Sequence, residues 1–229
     1  MKKESLLLIL FVVLQNLYGA DIQITGKDLE SHFTPEYNRA YYFCWDISTI
    51  GSITLNNRYN IKTGLALGTA GSTFDIKLFT AGEAVLSSRI PIYLSLAYKY
   101  NGLPEYEYHN HSIPLIASLE WKWAGFSLGY NFRLLSFFGE PPVFEPVLLL
   151  SVYVFFIDND FLRLGLKAAN YDDFTSDNFG AYFLNLNSVI RLNKKISIIN
   201  EIEIHQSGSS TLTSTFYRLV YRGGVALLW

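Results

Sequence analysis

Two histidines, His109 and His111, stand just before Ser112 and behind Glu105 and Glu107, and a third, His205, lies between Glu203 and Ser207. Such groups can pass a proton from a hydroxyl to an imidazole held by a carboxylate, which is the chemistry of hydrolysis. A histidine brought to Asp172 or Asp173 could likewise activate water. This chemistry needs the groups within hydrogen-bond reach, and spacing along the chain does not join these segments. Solvated rim residues are the simpler reading, so the chain is expected not to be an enzyme. His109 and His111 supply two imidazoles, short of a zinc ligand set, and no metal or cofactor is expected.

A second set of residues is more regular. Lys62, Lys77, Arg89, Lys99, Lys122, Arg133, Arg163, Lys167, Arg191, Arg218 and Arg222 fall on the polar parity of alternating segments, with Asp46, Asp75, Glu120, Glu201 and Glu203. Eleven cations against five anions leave an excess near +6 on that face, although the whole chain carries −2. Inward-facing Arg and Lys lower the cost of holding an anion in a confined pore. On this reading Lys62, Arg89, Lys99, Arg133, Arg163, Lys167, Arg191, Arg218 and Arg222 line a narrow, anion-favouring passage for small solutes. The same charges could instead pair into a plug. A third reading leaves the interior idle and gives the acidic, aromatic loops at 103–108 and 171–179 a surface ligand.

The elements that position these residues alternate with period two. Tyr217, Leu219, Tyr221, Val225, Leu227 and Trp229 oppose Arg218, Arg222, Gly224 and Ala226; Phe126, Leu128, Tyr130, Phe132 and Leu134 oppose Ser127, Gly129, Asn131 and Arg133. The polar face is rich in Gly, Ala, Ser and Asn, as in a crowded lumen, and the apolar face ends in aromatics, as at a membrane interface. Trp121, Trp123, Phe126 and Trp229 are expected at one rim. Charged residues make up 17% of the 229, below the roughly 25% of a soluble domain. No zinc spacing, phosphate loop or basic bulk charge points to nucleic acid or nucleotides. The lone Cys44 can form no intrachain disulfide.

Lys2 and Lys3 precede an apolar run from Leu6 to Leu14, followed by Gly19 and Ala20, the pattern of a cleaved secretory signal over 1–20. Tight turns are expected at Asn56-Asn57, Ser87-Ser88, Ala124-Gly125, Asp158-Asn159 and Asn193-Lys194. Longer connections alternate with them at 68–73, 101–110, 139–146, 171–178 and 206–212. Outer-membrane barrels have short periplasmic turns and long external loops, so the alternation gives the orientation. The expected fold is all-β, an up-and-down antiparallel transmembrane barrel over 37–229, with 21–36 a periplasmic lead-in. Direct counting gives eleven segments. Such barrels have even strand numbers, and twelve is preferred by folding Glu36 to Leu55 back around Ser48 to Gly51; ten comes next and eight last.

The end of the chain carries a pattern of its own: Arg222, then Gly224, then Leu227 and Trp229. It resembles the C-terminal assembly signal of bacterial outer-membrane β-barrel proteins, a polar residue and a glycine followed by hydrophobic antepenultimate and final residues. The resemblance implies outer-membrane lipid as surroundings and the barrel-assembly machinery as a partner. A terminal strand with a free edge is also a natural template for strand addition. In size and lumen charge a twelve-stranded chain is similar to the narrow porins that pass acidic oligosaccharides, though no motif is shared.

Overall fold

A computed structural model describes residues 24–38, 42–70, 72–87, 91–174, 181–207 and 215–229. The expected signal segment 1–20 and Arg89 lie outside the described residues. Twelve antiparallel strands form one closed barrel: β1 (Ile24–Asn38), β2 (Tyr42–Leu55), β3 (Tyr59–Ala70), β4 (Thr73–Ser87), β5 (Ile92–Leu103), β6 (Tyr108–Glu120), β7 (Ala124–Ser136), β8 (Val143–Asp158), β9 (Leu162–Ala169), β10 (Ala181–Arg191), β11 (Ile196–Ser207) and β12 (Thr215–Leu228). Each strand pairs with its sequence neighbours, and β12 closes on β1 with Ser31 opposite Val225 and His32 opposite Gly224. Closure leaves no free sheet edge along this seam.

The alternation read from the sequence sets the two surfaces. Outward side chains such as Phe33, Ile47, Leu65, Leu78, Leu115, Leu128, Leu186, Leu219 and Val225 are exposed, while their inward neighbours are less exposed and mostly small or polar. An exposed apolar belt of this extent is stable only against lipid. Trp121, Trp123, Phe126 and Trp229 do share one rim, the end that also holds the start of β1 and the end of β12.

Turn chemistry at that end is local. Asn56 and Asn57 both take positive φ, each 53°, and Arg58 N–H donates to the Leu55 carbonyl at 3.0 Å, forming the tight two-residue hairpin that suits strand twist. Asn159 Oδ1 accepts from the backbone of Phe161 and Leu162, and Asn193 Oδ1 from Lys195 and Ile196.

Several expectations are corrected. The twelfth strand is not made by folding Glu36 to Leu55 back on itself, since β2 runs unbroken through Ser48 and Gly51. It comes from the segment taken for a lead-in: Ile24–Asn38 is β1 and belongs to the barrel. Its outward face includes Lys27, Ser31 and Pro35 among Leu29, Phe33 and Tyr37, which hides the alternation. The connection at 68–73 is a short hairpin, because β3 continues to Ala70 and β4 starts at Thr73. The 101–110 connection shrinks to a single 3-10 turn, Pro104–Tyr106. Gly68, Thr69, Thr73, Asn101, Gly102 and Asn110, which suggested loops, are strand residues.

Candidate functional site

The barrel wall is uneven at one place. β9 has 8 residues and stops halfway up β8, with Ala169 opposite Ser151. At the next position Asn170 takes over the ladder with its side chain. Its Nδ2 donates to the Leu148 carbonyl at 2.7 Å, and its Oδ1 accepts the Leu150 N–H at 2.8 Å. Even-numbered β8 residues therefore direct their backbone toward β9, and two positions further on stands Pro146, which has no N–H to leave unpaired there. With the strand ended, the chain turns into the lumen.

The segment 171–174 crosses the interior. Tyr171 packs on the apolar wall patch of Ile116, Val147 and Leu149. Lys99, buried on β5, donates from Nζ to the Asp172 carbonyl. The Phe174 ring meets Phe79 of β4 edge-on at 5.0 Å between centroids. Asp172 Oδ1 accepts the Phe174 N–H at 2.8 Å, a local turn that holds the segment bent. Phe79 itself lies over Gly64, its cross-strand partner, where any Cβ would collide with the ring.

Arg222 is the hub on the opposite wall. Its guanidinium reaches Glu201 at 2.5 Å, Glu203 at 3.1 Å and Asp172 at 3.8 Å. Beside it the crossing segment leaves a cavity of about 140 Å³ against the wall formed by β9–β12, β1 and β2. A second cavity of about 20 Å³ lies toward Asp46, Lys77 and Arg218. The two share Ser48, Asp172, Phe174 and Arg222 in their linings, so they lie side by side. The larger has room for several waters or a small solute.

The other inward cations expected from the sequence are placed in layers. Arg133 pairs with Glu145 at 2.5 Å, Arg218 with Glu36 at 2.7 Å, and Lys77 with Asp75 at 3.0 Å and Asp46 at 3.4 Å. Arg163 and Arg191 meet at Asp158, 3.2 and 3.4 Å away, on the rim that holds the start of β1 and the end of β12. Lys167 lies over the rings of Tyr171 and Phe183 at 5.5 and 5.7 Å, and Lys62 faces inward from β3. Lys122 instead sits in an exposed turn.

The expected cation excess is absent among the described residues. β1 adds Asp28, Glu30 and Glu36 to the inward face, β4 and β8 add Glu83 and Glu145, and the crossing segment adds Asp172 and Asp173. Asp28, Glu30 and Glu36 fall in or beside the expected lead-in, Glu145 in the expected 139–146 connection and Asp172 and Asp173 in the expected 171–178 connection, whereas Glu83 stands on an inward strand position. The shortness of the β9 pattern before Asn170 was the available signal for the crossing segment.

The histidines separate. His109 and His111 lie on the outer face of β6, bonded to Tyr100 and Tyr98 at 2.8 Å each, whereas Ser112 is buried on the inner face. The hydrolytic grouping of adjacent residues is therefore not formed. His205 is buried in the lumen wall beside Glu203 at 3.1 Å. At the closing seam the His32 ring covers Gly224, where a Cβ would meet the imidazole and the Ser31 carbonyl.

No protein-family model and no curated protein matches the chain. Solved structures do match it. NanC porin aligns with a TM-score of 0.60 at 11% identity, over 87% of this chain and 98% of that one. KdgM porin in complex with disordered oligogalacturonate aligns at 0.57, 11%, 87% and 98%. The COG4313 outer membrane channel from Pseudomonas putida F1 aligns at 0.56, 9%, 90% and 96%. The chain has the fold of outer-membrane porins. At these identities the likeness is one of architecture, so within this porin fold the crossing segment and the Arg222 hub must be argued from their own geometry.

Proposed function

We propose that the protein is a narrow diffusion channel for small polar solutes in the bacterial outer membrane. The observation that carries this reading is the crossing segment, which fills one side of a closed barrel and leaves adjacent, charged cavities on the other. The fold shared with porins and an outer-membrane channel supports it. The anion preference expected from the sequence rested on a cation excess that the described lumen does not carry, so the channel is proposed without it. Small anionic solutes are therefore not assigned as cargo.

The route to the membrane is part of the same proposal. The segment 1–20 is removed on export, and β12, with Arg222, Gly224, Leu227 and Trp229, is the strand offered to the barrel-assembly machinery. The pairing of β12 with β1 supports this, because the last strand must close the barrel.

A second reading, a non-conducting barrel whose loops bind a surface ligand, is favoured by the small volume of the cavities, about 140 and 20 Å³. Refolded protein in a planar lipid bilayer separates the two. Stable unitary conductance from protein that is heat-modifiable on gels fits the channel. A folded but silent barrel fits the second reading.

A further inference from the structure

Resting on the channel reading, we infer that the passage past the crossing segment selects small cations, and that Asp173 and Glu30 set this sign. Of the two cavities the larger carries the greater imbalance of charge and the smaller is near balance, so the charges that face the larger weigh most in setting the sign of the field a permeating ion meets. Its cations are Lys167 and Arg222; its carboxylates are Glu30, Asp172, Asp173, Glu201 and Glu203.

The cations that face the larger cavity are outnumbered by the carboxylates around them. Arg222 is shared among Glu201, Glu203 and Asp172, so one positive charge answers three negative ones. Lys167 is held over the rings of Tyr171 and Phe183. Lys99 is tied to the Asp172 carbonyl and lies outside the cavity lining. Asp173 is exposed to the lumen and makes no ion-pair contact among the described residues, and Glu30 meets His32 at 3.3 Å. Lys62 of β3 is the cation whose field reaches both, and it is shared in turn among Asp173, Glu83, Glu30 and Asp28, one positive charge among four negative ones. Asp173 and Glu30 both stand in the cavity with carboxylates to spare for a passing cation. In the smaller cavity the balance is different, since Lys77, Arg218 and Arg222 face Asp46 and Asp172. Selection therefore lies at the larger cavity, and the solutes it favours are inorganic monovalent cations and small amines.

The test is the reversal potential of the full refolded protein in a bilayer under a KCl gradient, since potassium and chloride have nearly equal mobility. The wild type is expected to pass potassium several-fold better than chloride. Asp173→Asn with Glu30→Gln should cut that preference by more than half, and Asp173→Lys should abolish or reverse it. Glu105→Gln, on the exposed turn outside the cavity, should change nothing. Heat-modifiable mobility checks that each variant is folded. A conducting wild type with no preference, or with anion preference, overturns the inference while leaving the channel reading intact. Cation preference unchanged in both Asp173 variants overturns the assignment to these residues. A folded but silent wild type overturns the channel reading itself and the inference with it.

Discussion

The two sides of the lumen are built on opposite principles. On the β6–β8 side, Ile116, Val147 and Leu149 form an apolar cluster on the inner wall, and Tyr171 packs against it. On the β9–β2 side, carboxylates, amides and Arg222 surround open space. Apolar groups facing one another expel water and close, whereas like charges around a single guanidinium resist collapse. The difference teaches that the bore is not set by strand number alone. One apolar patch draws a short segment across the barrel, and the charged wall opposite keeps the rest open.

The comparison can be broken first on the charged side. Arg222→Gln leaves Glu201, Glu203 and Asp172 without their common partner; loss of one member of a buried ion pair costs about 3–5 kcal/mol. The midpoint of urea unfolding in detergent should fall accordingly. Leu149→Ala removes a fully buried side chain from the apolar cluster and should cost about 2–5 kcal/mol in the same assay. Asn170→Ala takes two side-chain hydrogen bonds from the β8 edge, leaving the Leu148 carbonyl and Leu150 N–H without them, for a loss of about 1–3 kcal/mol. Its distinctive readout is open-channel current noise, which should rise as the crossing segment loosens. The smallest effect is expected at the rim, where Arg163→Gln should change stability by about 0–1 kcal/mol, because its partner Asp158 keeps Arg191 and both sides are partly solvated.

Much of the wall was legible because lipid imposes a strict rule on alternate residues. Phe126 to Leu134 and Tyr217 to Trp229 obey it, and their strands lie where the pattern put them. β1 escaped because Lys27, Ser31 and Pro35 break that rule near the seam. Strand ends at Ala70 and Tyr108 were misplaced because the residues that make turns also line a crowded lumen. The site was less legible for a different reason. Lys62, Lys99, Arg133, Lys167, Arg218 and Arg222 stand on inward positions, but partners such as Glu36 for Arg218 and Asp172 for Arg222 come from segments distant in sequence. Nothing in the types of Asp172, Asp173 and Phe174 distinguishes a segment that turns inward from one that faces solvent. The deciding feature is the ladder-capping geometry of Asn170, which only the fold reveals.

The most direct measurement is single-channel conductance of the wild type beside a variant in which Tyr171, Asp172, Asp173 and Phe174 are replaced by a Gly-Ser stretch of equal length. If the segment divides the lumen, the wild type shows a small, stable conductance and the variant a several-fold larger one, with both proteins folded by heat-modifiability. Equal conductance in the two would contradict the account, because the segment would then not lie in the path of the current.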